Sequence, residues 1–280
     1  MTIAEDEAGY RALLEQVARA RGFACANYKD GCLRRRIAVR MRARQVADYP
    51  TYMALLTRDA AEYDKLIEVL TINLTRLYRD AAVWDVFAEQ VLPALWELSG
   101  ARFTAWSAAC SSGEELYTMA ALLHRHAERS GSARRLGLTE VIGTDIDDPS
   151  LAAAARGAYA EPGFVEMPPA LRARYFTPRV EDGITHQAAV PELRAMVRTQ
   201  HRDLLTESPP ATGLQLIACR NVLIYFDRDS QEPLLRRFHD ALVPGGVLVL
   251  GKVETLIGPT RALFEVVDQR QRIFRRPVAP

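Results

Sequence analysis

The chain has 280 residues, with 36 Lys plus Arg against 35 Asp plus Glu and a formal charge of +1. That length holds ample core for one large domain or two, and no whole-protein field directs it to nucleic acid or to a membrane surface. Its longest apolar stretches, such as 214–219 and 247–250, are strand-sized, and residues 1–6 are not a basic-then-apolar leader, so the sequence predicts a cytoplasmic protein without membrane insertion.

The first part, Ile3 to Asp80, shows helical spacing in Tyr10, Leu13, Leu14 and Val17 and again in Leu66, Leu70 and Leu74. It reads as a small helical domain, assigned to residues 1–85. Between Gly31 and Gln45 stand six arginines, Arg34, Arg35, Arg36, Arg40, Arg42 and Arg44, and no acid. Arg36, Arg40 and Arg44 form a stripe beside Leu33, Ile37 and Met41, so one helix face should pack while its neighbour is basic. A solvated face is the plain reading. A docking surface for an acidic helix is the functional one, and the lack of interleaved aromatics speaks against single-stranded nucleic acid.

From residue 86 onward strands alternate with helices. Phe103–Ala108, Glu140–Thr144, Leu214–Cys219 and Gly246–Leu250 read as buried strands; Glu114–Arg129, Pro149–Arg156 and Ser230–Leu242 read as helices. The alternation predicts an α/β domain over 86–280 with a doubly wound, Rossmann-like parallel sheet. Asp148 is the predicted N-cap of the helix at Pro149, and Gly157 its stop. The segment 175–199, broken by Gly183 and Pro191, reads as a small antiparallel β-subdomain, and 264–275 as a terminal hairpin. Cys25, Cys32, Cys110 and Cys219 form no C-x-x-C pair and have no clustered His, so reduced thiols are expected, with neither a metal site nor a disulfide framework.

Two strings carry the chemistry. Ser107-Ala108-Ala109-Cys110-Ser111-Ser112-Gly113-Glu114-Glu115 leads a strand through small residues into a helix, and Ile142-Gly143-Thr144-Asp145-Ile146-Asp147 ends the next strand in acids. Ligands of open parallel sheets sit at the strands' carboxyl ends, where such a turn lets backbone N–H groups approach closely. Neither G-x-G-x-x-G nor G-x-x-x-x-G-K-[ST] is present, so a phosphate cradle is missing. A nucleoside without phosphates fits better, and S-adenosylmethionine is the obvious one. Asp145 either meets ribose hydroxyls, as an acid at a strand's end in such a fold does, or merely starts the turn into Asp148-Pro149. Glu115 has a plainer alternative in a capping box with Ser112, and Arg79 either a surface ion pair or a fork on a methionine carboxylate.

These strings, together with Asn73-Leu74-Thr75-Arg76-Leu77-Tyr78-Arg79-Asp80 and Cys219-Arg220-Asn221-Val222-Leu223-Ile224-Tyr225-Phe226-Asp227, occur in the order found in CheR-type chemoreceptor glutamate methyltransferases, which the chain resembles over nearly its whole length. The resemblance implies a protein-glutamate O-methyltransferase that moves a methyl group from S-adenosylmethionine onto glutamates of the cytoplasmic domain of methyl-accepting chemotaxis receptors, leaving S-adenosylhomocysteine. Recruitment to membrane receptor arrays is implied too. Cofactor contacts would fall on Asn73, Thr75, Arg79, Glu115, Asp145, Asp203, Leu204, Arg220 and Asn221. Arg220 would orient the site, and Tyr225, or Tyr78, could present a ring to the sulfonium. Asp203 stands where the family usually has asparagine, Leu116 replaces a proline, Leu77-Tyr78 replace two phenylalanines, and Gly251-Lys252-Val253-Glu254 stands where the family commonly reads G-H-S-E. A methyltransferase acting on another signalling protein, and a non-catalytic S-adenosylmethionine sensor, remain as alternatives.

Overall fold

A computed structural model describes residues 6–21, 23, 25–71, 75–181 and 183–278. The chain divides into two compact units, residues 1–73 with 225–230 and residues 74–224 with 231–280. The first is helical: α1 (Glu7–Arg21), α2 (Asp30–Ala43), α3 (Tyr49–Arg58) and α4 (Ala60–Thr71). Tyr10, Leu13 and Val17 of α1 are buried as their spacing requires, as are Leu66 and Leu70; Leu74 lies outside the described residues. Asp48 caps α3, its carboxylate accepting from the Thr51 N–H at 2.7 Å.

The second unit starts before residue 85. Its α5 (Ala81–Val86) runs through a wide turn at Phe87–Val91 into α6 (Leu92–Leu98), the widening falling just ahead of Pro93, which has no N–H to donate. Val83, Trp84, Phe87, Leu95 and Trp96 share one apolar core with Phe103 and Ala105 of β1 (Phe103–Ala108). That packing assigns 75–85 to this unit and not to the helical one.

After β1 come α7 (Glu114–Arg129), β2 (Thr139–Asp145), α8 (Asp148–Arg156), β3 (Ala158–Tyr159), α9 (Pro169–Tyr175), β4 (Phe176–Glu181), β5 (Ile184–Ala189), α10 (Pro191–Met196), β6 (Val197–His201), β7 (Leu214–Cys219), α11 (Arg228–Ala241), β8 (Leu242–Leu250), β9 (Glu265–Asp268) and β10 (Ile273–Arg275). The main sheet has the order β6-β2-β1-β7-β8-β10-β9. It is parallel from β6 to β8 and antiparallel over the final two pairings. The chain turns one way from β1 to β2 and returns on the other side with β7, so β1 and β7 flank a topological switch point, where a crevice opens at the carboxyl ends.

The small antiparallel sheet exists, with order β3-β5-β4, but its limits differ from 175–199. It recruits Ala158–Tyr159 from upstream and ends at Ala189, while Val197–His201 pairs in parallel with β2 as the main sheet's edge. The α8 cap also moves by one residue: Asp147 accepts from the Ser150 N–H at 3.0 Å, leaving Asp148 inside the first turn. Among the described residues no helix is long and apolar enough to cross a membrane.

Candidate active site

The carboxyl edge of β1, β2 and β7 brings most of the expected residues together. Leaving β1, the chain takes left-handed backbone conformations at Ala109 (φ 61°), Ser111 (φ 49°) and Gly113 (φ 90°) before α7 begins. Only glycine fits the last position, since a Cβ there would stand 2.6 Å from the Cβ of Ala154. Asp145 fastens this turn. Its Oδ2 accepts the Ser111 N–H at 2.8 Å, and its Oδ1 accepts the N–H groups of Ile146 (2.8 Å) and Asp147 (3.1 Å). Burial pushes its carboxyl pKa up, against the pull of the Ser111 N–H and the other backbone donors.

Glu115 does not form the capping box open to it. Ser112 Oγ donates instead to Glu114 at 2.7 Å, while Glu115 accepts from Ser107 Oγ at 2.7 Å and pairs with Arg220 at 3.3 Å. Two acids at the start of α7 oppose a phosphate at a position where a helix N-terminus would otherwise welcome one. The turn therefore suits a neutral or cationic nucleoside. Ser111 Oγ and Arg220 Nε, both buried, have no partner among the described residues and retain hydrogen-bonding capacity at this edge.

Arg220 follows β7 as expected. Its side chain is only 2% exposed, and its Nη2 donates to Asp80 Oδ2 (2.8 Å) and to the Arg79 carbonyl (3.0 Å). The guanidinium also lies over the Trp84 ring, 5.2 Å from its centroid. Its fork is thus occupied by the protein, tying the 75–80 segment to α7. Asp80, left-handed at φ 61°, in turn pairs through Oδ1 with Lys252 Nζ at 3.0 Å. Glu115, Arg220, Asp80 and Lys252 form a row of alternating charge.

Asn221 adopts φ 64°, a conformation asparagine tolerates better than most residues. Its N–H and that of Gly251 both donate to Glu254 Oε2, at 2.9 and 2.6 Å. Burial raises the pKa of Glu254, whose carboxylate collects backbone donors from the ends of β7 and β8. Asp203 closes its own turn, Oδ1 accepting from the Leu205 N–H at 2.8 Å, and the carbonyl of buried Leu204 accepts from Arg237 at 3.0 Å. Thr75 and Arg79 are half-buried on the segment held by Arg220. Asn73 lies outside the described residues.

The two aromatic candidates both have protein partners. Tyr78 is a core residue whose hydroxyl donates to Asp85 at 2.8 Å. Tyr225 belongs to the helical unit, and the cation on its ring is Arg36, 4.6 Å from the centroid. The basic stripe of α2 is also largely committed internally. Arg36 is buried and donates to the Leu70 carbonyl, Arg40 makes a two-point bond with Glu62 at 2.5 and 2.6 Å, Arg44 pairs with Asp59 and Glu62, and Arg34 pairs with Glu7 and Asp30. Of the six, Arg35 and Arg42 are exposed and have no ion pair among the described residues.

Sequence reasoning missed Asp80, Lys252 and Glu254 as members of the site. The signal for Asp80 was its place in the Asn73–Asp80 string; for the other two it was the altered G-K-V-E string.

Residues 73–273 match the model of the CheR methyltransferase SAM binding domain, and residues 8–71 that of the CheR methyltransferase all-alpha domain. The chain is 34% identical over 253 residues to a chemotaxis protein methyltransferase of Listeria innocua, covering 90% of this chain and 92% of that one. It is 32% identical to the chemotaxis protein methyltransferase of Salmonella typhimurium, covering 90% and 85%. An uncharacterised 104.1 kDa protein of Rhodobacter capsulatus is 36% identical over 251 residues, of which this chain spans 25% of the length.

Proposed function

We propose that this chain, which belongs to the CheR methyltransferase family, transfers a methyl group from S-adenosylmethionine to glutamate side chains of chemotaxis receptors, giving glutamate methyl esters. The observation that carries the reading is the carboxyl edge itself. The reading is supported by a turn fastened by Asp145, acids in place of a phosphate cradle, and Arg220 and Asn221 at the end of β7, with Arg220 bonded to the Thr75–Asp80 segment.

S-adenosylmethionine supplies the electrophilic methyl group. Asp145 and Glu115 are the acids assigned to its nucleoside, Thr75 and Arg79 to its amino-acid end, and Asp203, Leu204 and Asn221 to the remaining contacts. A glutamate with an ordinary pKa of about 4.3 is already ionised at neutral pH, so the protein needs no general base. One O–CH3 bond forms as one S–CH3 bond breaks, and the two opposite charges are lost together. The chain's part is to align the carboxylate and exclude water. Arg220 suits this role because its fork is committed to Asp80, Glu115 and the Arg79 carbonyl: it shapes the crevice without binding and blunting the attacking carboxylate.

On the helical unit, Arg35 and Arg42, exposed and without an ion pair among the described residues, are the cations offered to an acid-rich receptor helix. The same unit has a groove of about 750 Å³ lined by Arg44, Pro50, Thr51, Ala54, Leu55 and Arg58 among others. Its apolar floor and basic rim suit an amphipathic acidic partner.

The test is transfer of labelled methyl from S-adenosylmethionine to receptor cytoplasmic fragments, followed by alkaline treatment. Methanol released from the receptor band, and lost with Asp145→Asn, is the expected result. Base-stable label would move the activity to another acceptor atom.

A further inference from the structure

Lys252 is the residue that departs from the family's usual histidine, and it stands in the row of charges that borders the crevice. Its backbone is well fixed. The preceding Gly251 N–H donates to Glu254 at 2.6 Å, and the Lys252 carbonyl accepts from Arg272 Nε at 3.3 Å. Its side chain is 53% exposed, yet its ammonium is placed 3.0 Å from Asp80 Oδ1.

Asp80 is poised for such a contact. It stands at the start of α5 but its carboxylate does not cap the helix. The N–H groups of Asp80 and Ala81 go instead to Glu166 Oε2, at 2.7 and 3.3 Å, and Glu166 also pairs with Arg76 at 3.2 Å. The Asp80 carboxylate is left to divide its oxygens between two cations, Oδ2 to Arg220 and Oδ1 to Lys252. The 75–80 segment is held at several points, among them the Leu77 N–H on the Gly163 carbonyl (3.0 Å) and the Tyr78 N–H on Thr118 Oγ1 (2.8 Å). Glu166 and Arg220 hold it through its backbone and through one Asp80 oxygen; Lys252 holds the other oxygen from the end of β8.

We propose that Lys252 is a positioning residue for S-adenosylmethionine, its ammonium holding Asp80 and thereby setting the segment that carries Thr75 and Arg79. The proposal rests on the assignment of Thr75 and Arg79 to the cofactor's amino-acid end. Arg220, buried, is the permanent anchor of this segment. Lys252, half in solvent, is the adjustable one, and its contribution falls as salt screens it.

The experiment is calorimetric titration of S-adenosylmethionine into the full chain at low and high salt, for wild type, Lys252→Met, Lys252→Arg, Asp80→Asn and the double variant Lys252→Met/Asp80→Asn. Because an exposed ion pair contributes little, Lys252→Met should weaken binding about two- to fivefold at low salt and less at high salt. Lys252→Arg should restore it. Asp80→Asn should weaken binding more, and adding Lys252→Met to it should cost nothing further. Hydrogen exchange of residues 75–81 should quicken in Lys252→Met, and the KM for the cofactor should rise with kcat retained.

Wild-type affinity and exchange in Lys252→Met would overturn the proposal. So would an equal loss from Lys252→Met in the Asp80→Asn background, since Lys252 would then act elsewhere. The binding readout needs no receptor, so absence of methyl ester on any receptor would refute the proposed reaction and leave this result standing.

Discussion

Arg220→Met removes the central cation of the row while keeping an apolar stem of similar length. The lost contacts are those to Asp80 (2.8 Å), the Arg79 carbonyl (3.0 Å) and Glu115 (3.3 Å). Removing one partner of a buried pair costs about 3–5 kcal/mol. Here both acids keep a second partner, Lys252 for Asp80 and Ser107 for Glu115, and both are partly exposed (22% and 14%), so the lower end of that range applies, about 3 kcal/mol. In a domain of this size that is a fall in Tm of about 6–12 °C. Lys at this position keeps the charge without the planar fork and should fall between the two. Urea unfolding followed by calorimetric titration of S-adenosylmethionine on the same samples checks both consequences. Arg220→Met unfolding within about 1 kcal/mol of wild type, with unchanged cofactor affinity, would refute the assignment of Arg220 as the residue that ties the 75–80 segment to α7.

Gly113→Ala should lower stability by about 2–4 kcal/mol, combining left-handed strain with the collision against Ala154; Gly183→Ala, whose Cβ meets open space, should cost about 1 kcal/mol from strain alone, and thermal melts compare the two. Glu62 has the opposite pH signature to Asp145 and Glu254. Burial pushes its pKa up, but the bonds from Arg40 and Tyr52 bring it below the ordinary value, so its stabilisation is present above about pH 4.3 and is lost as pH falls through the folded value. Asp145 and Glu254 are raised, so their contribution is present at low pH and is lost as pH rises through their folded values. Acid unfolding followed by circular dichroism should therefore flatten in Glu62→Gln below about pH 4.3.

The fold was legible where local rules and burial agree. The strands at 103–108 and 214–219 are buried on both faces, and the sequence pattern predicts their ends without error. Asp145 was legible as the acid that ends β2, but its bonds to the Ser111, Ile146 and Asp147 N–H groups were not. The errors share a cause in contacts distant along the chain. Val83 and Trp84 look like continuations of the helical domain until β1 is available to pack with them. Residues 197–201 look like part of the small sheet until β2 offers a parallel partner. Arg36 and Arg40 read as solvated charges because their partners, the Leu70 carbonyl and Glu62, lie on another helix. Arg220 was placed at the right edge, but its commitment to Asp80, 140 residues away, carries no sequence signal.

The most direct measurement is peptide mapping by mass spectrometry after incubating the full chain with S-adenosylmethionine and a receptor cytoplasmic fragment. The account predicts a single added methyl group on glutamate residues, removed by mild base and absent with Asp145→Asn. Methyl groups on nitrogen or sulfur atoms, or none on glutamate while the cofactor binds, would contradict it.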